Sequence, residues 1–143
     1  MNAFAAVLDG FKTVLNSHTW TTKPTIKKAR VYDLDGTPAI TISLGKSTPN
    51  QTNLALVTQS VEVVTKLFVK AREDELDDAL LNLYAEAYAA VMTSNTLGLA
   101  YVIEIEPPQL SDPQTDGEGS RPVMFADLTW TITFRHGANS LEI

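Results

Sequence analysis

The sequence predicts an α+β fold, with one mainly antiparallel β-sheet and two helices packed on one face. Three observations lead to this prediction. Apolar residues recur at helical spacing along Glu73–Met92 and again within residues 2–15. The segments that flank the longer helix alternate apolar and polar residues, as half-buried strands do. Their order of helix, strands, helix and strands is typical of helices that cover one face of a sheet.

The first helix is expected over residues 2–15 with Asn2 as its N-cap, because an asparagine side chain accepts hydrogen bonds from the first turn. Its predicted apolar face contains Phe4, Val7, Leu8, Phe11 and Leu15. A short edge strand is predicted over Thr25–Tyr32. The dipeptide Asp35-Gly36 then predicts a tight hairpin turn into a strand over residues 39–44.

The longest β-like run is expected from Leu54 to Val69, after a polar loop at Gly45–Asn53. Odd-numbered positions of this run are mostly apolar, so one face should be buried and the other should be wet. Because the run exceeds the length of a typical strand, we expect a bulge or bend near Gln59.

The central helix over Glu73–Met92 has the clearest periodicity in the chain. Its predicted buried stripe contains Leu76, Ala79, Leu80, Leu83, Tyr84, Ala87, Tyr88 and Val91. Acidic residues crowd its first turns, where they complement the positive end of the helix dipole. The helix is expected to end at Ser94–Gly98, with Asn95 or Gly98 in a left-handed conformation.

The last third of the chain predicts two strands separated by a loop. The first strand, Ala100–Glu106, should bury Tyr101, Ile103 and Ile105. Residues 107–122 are rich in Pro, Gly and Asp and predict a mobile loop. The closing strand should place Met124, Ala126, Leu128, Trp130, Ile132 and Phe134 on one face. Residues 137–143 are expected to form a flexible tail of a single domain that spans residues 1–143.

Charge is distributed unevenly along the chain, whose net charge is −6. Five bases and one acid precede residue 31, whereas six bases and sixteen acids follow it. The basic stretch at residues 23–30 has three interpretations: solvated charge that protects an edge strand, a weak nucleic-acid contact, or a patch that meets an acidic patch on a second copy. The candidate interface charges are Lys27, Lys28, Arg30, Glu73 and Asp74.

Signals for catalysis or metal binding are weak. His18 and His136 lie far apart in sequence, and neither has a further ligand at metal-binding spacing. Asp33 and Asp35 resemble the start of a calcium loop, but the later ligands are missing, so a hairpin turn is favoured.

The remaining candidates also have simpler explanations. The acidic loop with Asp112, Asp116 and Glu118 either carries solvated charge, which we favour, or holds a hard cation weakly. Trp130 lies in an apolar register that favours the core over a role as a partner anchor. No serine lies in a nucleophile elbow, and no glycine-rich loop is placed to hold phosphate. We therefore predict a protein that is not an enzyme and that holds no cofactor or metal.

Composition narrows the classes of protein further. The apolar share of 44% is ordinary for a globular protein. No apolar run approaches the roughly 20 residues that span a bilayer, so no membrane partner is expected. Asp9 precedes every base, which is unlike a secretory signal peptide. The chain has no cysteine, so disulfides and thiolate chemistry are excluded.

In the order of its elements, the chain resembles the tail terminator (tail completion) proteins of long-tailed, non-contractile phages. The features that carry the resemblance are the N-terminal helix, the extended hairpin, the helix exit Thr96-Leu97-Gly98, the strand Tyr101–Glu106 and the closing strand Leu128–Arg135. Leu99 departs from the family pattern, which has a second glycine there.

The resemblance implies a structural virion protein at the head-proximal end of the tail, assembled in the host cytoplasm. Such subunits form a hexameric ring that ends polymerisation of the tail tube and binds the head–tail connector. DNA passes through the bore without specific binding, and an acidic bore would repel its phosphates. The candidate docking residues toward tube and connector are Lys46, Thr48, Asn50, Asp112, Asp116 and Glu118. The alternatives are another head–tail joining protein, a tail-tube subunit, or a non-viral binding domain.

Overall fold

The computed structural model describes residues 2–30, 36–52, 55–116, 122–137 and 139–142. Two α-helices and seven strands are assigned within these ranges. They are α1 (Ala3–Ser17), β1 (Thr25–Lys28), β2 (Ala39–Thr52), β3 (Leu56–Lys70), α2 (Leu76–Ser94), β4 (Val102–Ile105), β5 (Gln109–Leu110), β6 (Gln114–Asp116) and β7 (Val123–Gly137). A 3₁₀ turn, Glu73–Glu75, leads directly into α2.

All seven strands belong to one sheet in the order β1-β2-β3-β7-β4, and β5 and β6 also pair with β7. Every pairing is antiparallel except that of β1 with β2. The predicted α+β fold with a mainly antiparallel sheet is confirmed in these terms. The central strands β3 and β7 pair without interruption from Leu56↔Gly137 to Lys70↔Val123.

The predicted hairpin between the first two strands is wrong. β1 lies at the sheet edge, as expected, but it runs parallel to β2, with Thr25 opposite Ala39 and Lys28 opposite Ile42. The hairpin prediction rested on the local Asp35-Gly36 signal, and Asp35 lies outside the described residues. Contacts with α1, including the ion pair between Lys28 and Asp9, hold β1 in place instead.

The predicted polar loop at Gly45–Asn53 is also wrong, because β2 continues as a strand to Thr52. Two irregularities in β2, between Leu44 and Ser47 and between Pro49 and Gln51, absorb the residues that break the alternation. The bulge expected near Gln59 therefore lies on the neighbouring strand, since Gln59 is paired with Pro49 and β3 itself stays regular against β7.

One apolar core joins both helices to the sheet, and Asn2 caps α1 as predicted, its Oδ1 accepting from the amides of Phe4 and Ala5. The expected inward positions of β7 and those of β3 from Val61 onward are buried, whereas Val57 is half-buried and Ala55, before the strand, is exposed. At the centre Trp130 donates from Nε1 to Thr65 Oγ1 at 2.9 Å, and the Phe11 ring lies 5.8 Å from the indole.

The central helix and its exit follow the prediction except at Tyr88, which was expected in the buried stripe and is 36% exposed because it lies on the flank of the helix; Ala79 and Tyr84 are half-buried. Its buried positions are Leu76, Leu80, Leu83, Ala87, Ala90 and Val91. Asn95 and Gly98 both have positive φ, 62° and 71°, as expected of a left-handed exit. Leu97 does too, with φ of 55°, and its side chain is buried.

The strand after α2 differs from its predicted register. Ile103 is 47% exposed, whereas Val102 and Ile105 are buried. The pairing of β4 with β7 shifts between Val102 and Glu104. This irregularity inserts one residue, so the alternation of inward and outward side chains changes phase within the strand.

Two segments predicted as loop or tail contain ordered pairing. Residues 109–110 and 114–116 are the strands β5 and β6, both against β7. Near the end of the chain, Leu141 O accepts from the amide of Ala3 at 2.8 Å, and Glu142 forms a β-bridge with Asn2. The last described residues thus return to the start of α1 instead of forming a free tail.

Candidate functional site

Among the described residues, no helix covers the sheet face opposite α1 and α2, and this open face is hydroxyl-rich. Half-buried positions at its centre are Ser43, Ser60, Glu62, Val64, Thr129, Thr131 and Thr133, and Thr58, Lys66, Phe125 and Asp127 lie toward its ends. Ser60 lies opposite Thr133, with 3.3 Å between their hydroxyl oxygens. The centre of the face offers hydrogen-bonding groups at the regular spacing of the strands, and its half-buried titratable side chains are Glu62, Lys66 and Asp127.

Lys46, Thr48 and Asn50 lie on the outer half of β2 and are all exposed. β1 pairs with β2 only as far as Ile42, so this half of β2 forms an edge of the sheet among the described residues. Lys46 lies in the first irregularity and Asn50 in the second, where its amide donates to Ser60 Oγ. A lysine and bulges are features that discourage uncontrolled strand pairing at an edge.

Asp112 and Asp116 lie elsewhere on the sheet. Asp116 pairs with Val123 at the start of β7, whereas Thr48 is aligned through Ser60 with Thr133. The two levels are ten residues apart along β7, about 33 Å at roughly 3.3 Å per residue. The structure therefore separates Thr48 and Asp116 toward opposite ends of the sheet. Asp112 lies between these levels, next to Ser111, whose amide donates to the carbonyl oxygen of Asp127. The sixth predicted docking residue, Glu118, lies outside the described residues.

The candidate interface charges fall into a basic and an acidic group. Lys27 and Lys28 are exposed on β1, and Arg30 donates from Nη2 to the carbonyl oxygen of Leu44 at 2.9 Å. Lys28 forms an ion pair with Asp9 of α1.

The acidic group belongs to the 3₁₀ turn before α2. Glu73 and Asp74 are exposed, and Asp74 lies 3.8 Å from Nε of the neighbouring Arg72. Because both residues of this ion pair are well exposed, it contributes little to stability.

Two clefts were not expected from the sequence. The larger, of about 250 Å³, lies between the α1–β1 connection and α2. In it Glu86 accepts from the amide of Thr21 at 2.9 Å and lies 4.0 Å from His18 Nε2. This single carboxylate holds the connection against the helix and has no second acid in the cleft to act as its catalytic partner.

The smaller cleft, of about 170 Å³, lies on the open face beside β5. Asp127 Oδ1 is buried there, accepts no hydrogen bond from the described residues and lies 3.8 Å from Lys66 Nζ. Ser111 closes the cleft, since its hydroxyl oxygen accepts from the amide of Asp127 at 2.9 Å. Asp112 and Gln114 also line this cleft.

The two histidines are far apart in the fold as well as in sequence. His136 is buried, with Nε2 2.9 Å from Gln59 Oε1 and Nδ1 3.2 Å from the carbonyl oxygen of Ser140. It thereby ties the last described residues to the end of β3 and β7. Within the described residues, no three acidic or histidine side chains are placed to share a metal ion.

Tyr101 is half-buried, but its hydroxyl oxygen is buried and has no hydrogen-bond partner among the described residues. Loss of hydration raises the pKa of this hydroxyl above its ordinary value of 10.0. The ring packs edge-on against Phe134 at 6.1 Å. The hydroxyl is therefore desolvated without compensation.

Replacing Tyr101 with phenylalanine should stabilise the protein by about 1 kcal/mol, because the ring stays and the uncompensated hydroxyl goes. Since the folded state raises this pKa, the neutral tyrosine is favoured, and stability falls as pH rises above the unfolded pKa of about 10. Urea unfolding at pH 8 and at pH 10.5 measures both effects. A variant less stable than the wild type at pH 8 would show that the hydroxyl has a partner in solution.

Comparison of the sequence with protein-family models and with curated proteins finds no match. No helix within the described residues has the length and apolar character to cross a membrane.

Proposed function

We propose that this protein is a tail terminator, a structural virion subunit that forms a hexameric ring on the head-proximal end of a phage tail tube. The observation that carries the proposal is the separation of the exposed polar groups on β2 and on β5–β6. Thr48 and Asp116 mark the two extremes, ten residues apart along β7 and so about 33 Å apart by the roughly 3.3 Å rise per residue of a strand. Asp112 lies closer, beside Asp127 and six residues along β7 from Thr133. A ring that joins a tube to a connector needs one such group toward each partner.

The lengths of the central strands support this function. β2, β3 and β7 have 14, 15 and 15 residues, which is longer than most strands in globular proteins. On β3 the fully buried core positions begin at Val61, and the segment before it is half-buried or exposed. The partner segment of β2 carries Thr48 and Asn50 toward one partner, and Lys46 lies just before it.

The chemistry of the open face fits a bore through which DNA passes. Its central positions carry hydroxyl groups, and the amino group of Lys66 lies beside Asp127. A protein with a net charge of −6 also repels phosphate. Tight DNA binding would require a cluster of lysine and arginine side chains that are not neutralised by acids. In the proposed ring, this face lines the bore and lets DNA slide.

Negative-stain microscopy with tail tubes that lack their own terminator tests the proposal. We expect one additional disc at a single end of each tube, with tube length held fixed when tube protein is added. Long cylinders of this protein alone would identify a tube subunit instead. If the protein never binds a tube end, the phage assignment is wrong.

Two double variants test which partner each group of docking residues binds. Thr48→Ala/Asn50→Ala and Asp112→Ala/Asp116→Ala change exposed side chains and should leave folding intact. One pair should weaken binding to the tube, and the other should leave the disc in place but weaken binding of the connector. Equal effects of both pairs on both partners would contradict two separate docking groups.

A further inference from the structure

Helix α2 carries a second apolar stripe beside its core face. We call it the α2 stripe; its members are Leu81, Tyr84, Ala85, Tyr88 and Met92. They recur at the three- and four-residue steps of a single helix flank. Tyr84 and Met92 of this stripe are half-buried against the core, and the Tyr88 ring lies 6.3 Å from that of Trp130. Leu81 is 52% exposed and Tyr88 is 36% exposed, so large apolar side chains meet solvent here.

The α2 stripe faces the β4 side of the molecule. On the opposite flank of α2, the Glu86 carboxylate accepts a hydrogen bond from the amide of Thr21, in the connection between α1 and β1. α2 packs over β3 and β7, whereas α1 packs against β1 and β2. The flank turned away from α1 therefore lies toward β4, where Ile103 exposes a further apolar side chain.

Exposed acids outnumber the exposed base Arg135 on this side of the molecule, and bases outnumber Asp9 on the opposite side. Asp77, one turn before Leu81, and Glu104 and Glu106 on and after β4 are all exposed. β1 forms the other edge of the sheet. The exposed bases on and around β1 are Lys23, Lys27, Lys28 and Arg30.

We infer that the α2 stripe, together with the β4 edge, binds the β1 edge of a second copy of this chain. Charge complementarity between the two opposite edges selects this occupant, because acidic and basic patches steer and orient association. Large apolar side chains with a charged rim are the usual composition of a specific protein interface. Since the two surfaces differ and lie on opposite sides, the contact is head-to-tail.

The expectation that repeated contacts close into a ring rests on the proposed function. A head-to-tail contact by itself closes into a ring only when the rotation between neighbouring subunits allows it. The inference also refines the candidate interface charges. Asp77, Glu104 and Glu106 supply the acidic side, in place of Glu73 and Asp74.

Thiol crosslinking tests the contact directly, because the chain has no cysteine of its own. The variant Leu81→Cys/Lys27→Cys is treated with a flexible bis-maleimide at high protein concentration. We expect a ladder of crosslinked species that extends beyond the dimer. The matched control Thr93→Cys/Lys27→Cys moves the first thiol to an exposed position seven residues after Glu86, on the other flank, and should lose the ladder.

The single variants establish the orientation of the contact. Leu81→Cys alone and Lys27→Cys alone should stay monomeric, and their mixture should stop at a dimer, since each then offers one thiol to the other. Dimers of Leu81→Cys alone would show a symmetric contact and overturn the head-to-tail inference. If Leu81→Cys/Lys27→Cys gave no more crosslinked species than Thr93→Cys/Lys27→Cys, the α2 stripe would not be the contact surface.

The outcomes separate this inference from the proposed function. A disc on tube ends without the ladder would leave the terminator function standing and reject the α2 stripe as the contact. A ladder without any binding to tube ends would support the contact and reject the terminator function.

Discussion

Replacing Trp130 with alanine is expected to lower the free energy of unfolding by about 3–5 kcal/mol. The indole is fully buried at the centre of the sheet and contacts both helices, with the rings of Phe11 and Tyr88 at 5.8 and 6.3 Å. Its removal leaves a cavity and takes the donor from Thr65 Oγ1. Domains are typically stable by only about 5–15 kcal/mol, so this loss is a large part of the total.

Chemical unfolding followed by far-UV circular dichroism measures the effect without relying on the tryptophan signal. Trp20→Ala serves as the control, because Trp20 is half-buried and packs at the margin of the core. Its loss should be clearly smaller. Equal losses for the two variants would contradict the central position of Trp130.

Replacing Gly10 with valine is expected to destabilise the protein by about 3 kcal/mol, at the upper end of the usual cost of overpacking. A Cβ at position 10 would lie 3.1 Å from Leu97 Cβ and 3.4 Å from Leu99 Cδ1. Leu97 is buried in a turn with positive φ, so it cannot easily move aside. The two methyl groups of valine add to this crowding.

Gly10→Ala is the matched control. Alanine adds the tight contact with Leu97 but gains about 1 kcal/mol of helix propensity over glycine. We therefore expect a change in the free energy of unfolding within about 1 kcal/mol. A valine variant as stable as the alanine variant would show that α1 and the exit of α2 are not closely packed in solution.

The periodicity of apolar residues predicted the elements that bury one face and expose the other. Both helices and the buried sides of β3 and β7 follow from it, because a one-residue slip would expose the whole apolar set. It missed pairing that depends on residues distant in sequence. β5 and β6 have no pattern of their own and are strands only because β7 offers them a partner.

The candidate surfaces were predicted less well than the core. Lys46, Thr48 and Asn50 are exposed, but in a strand and not in a loop, because polar side chains such as these are compatible with an edge strand as well as with a turn. Ile103 was expected to be buried, and only the irregularity in β4 exposes it. Tyr88 was assigned to the buried stripe by spacing alone and is 36% exposed, because spacing does not distinguish a core position from a contact with a second copy.

The position of β7 also determines when the protein can fold during synthesis. It is the last strand to leave the ribosome, yet it lies between β3 and β4 and pairs with β5 and β6 as well. Until its residues emerge, β3 has one open side, and β4, β5 and β6 lack the strand to which they bind. A nascent chain that ends before residue 123 therefore exposes unpaired strands, a state in which chains aggregate. Folding of this sheet is accordingly completed only after residues 123–137 have left the ribosome.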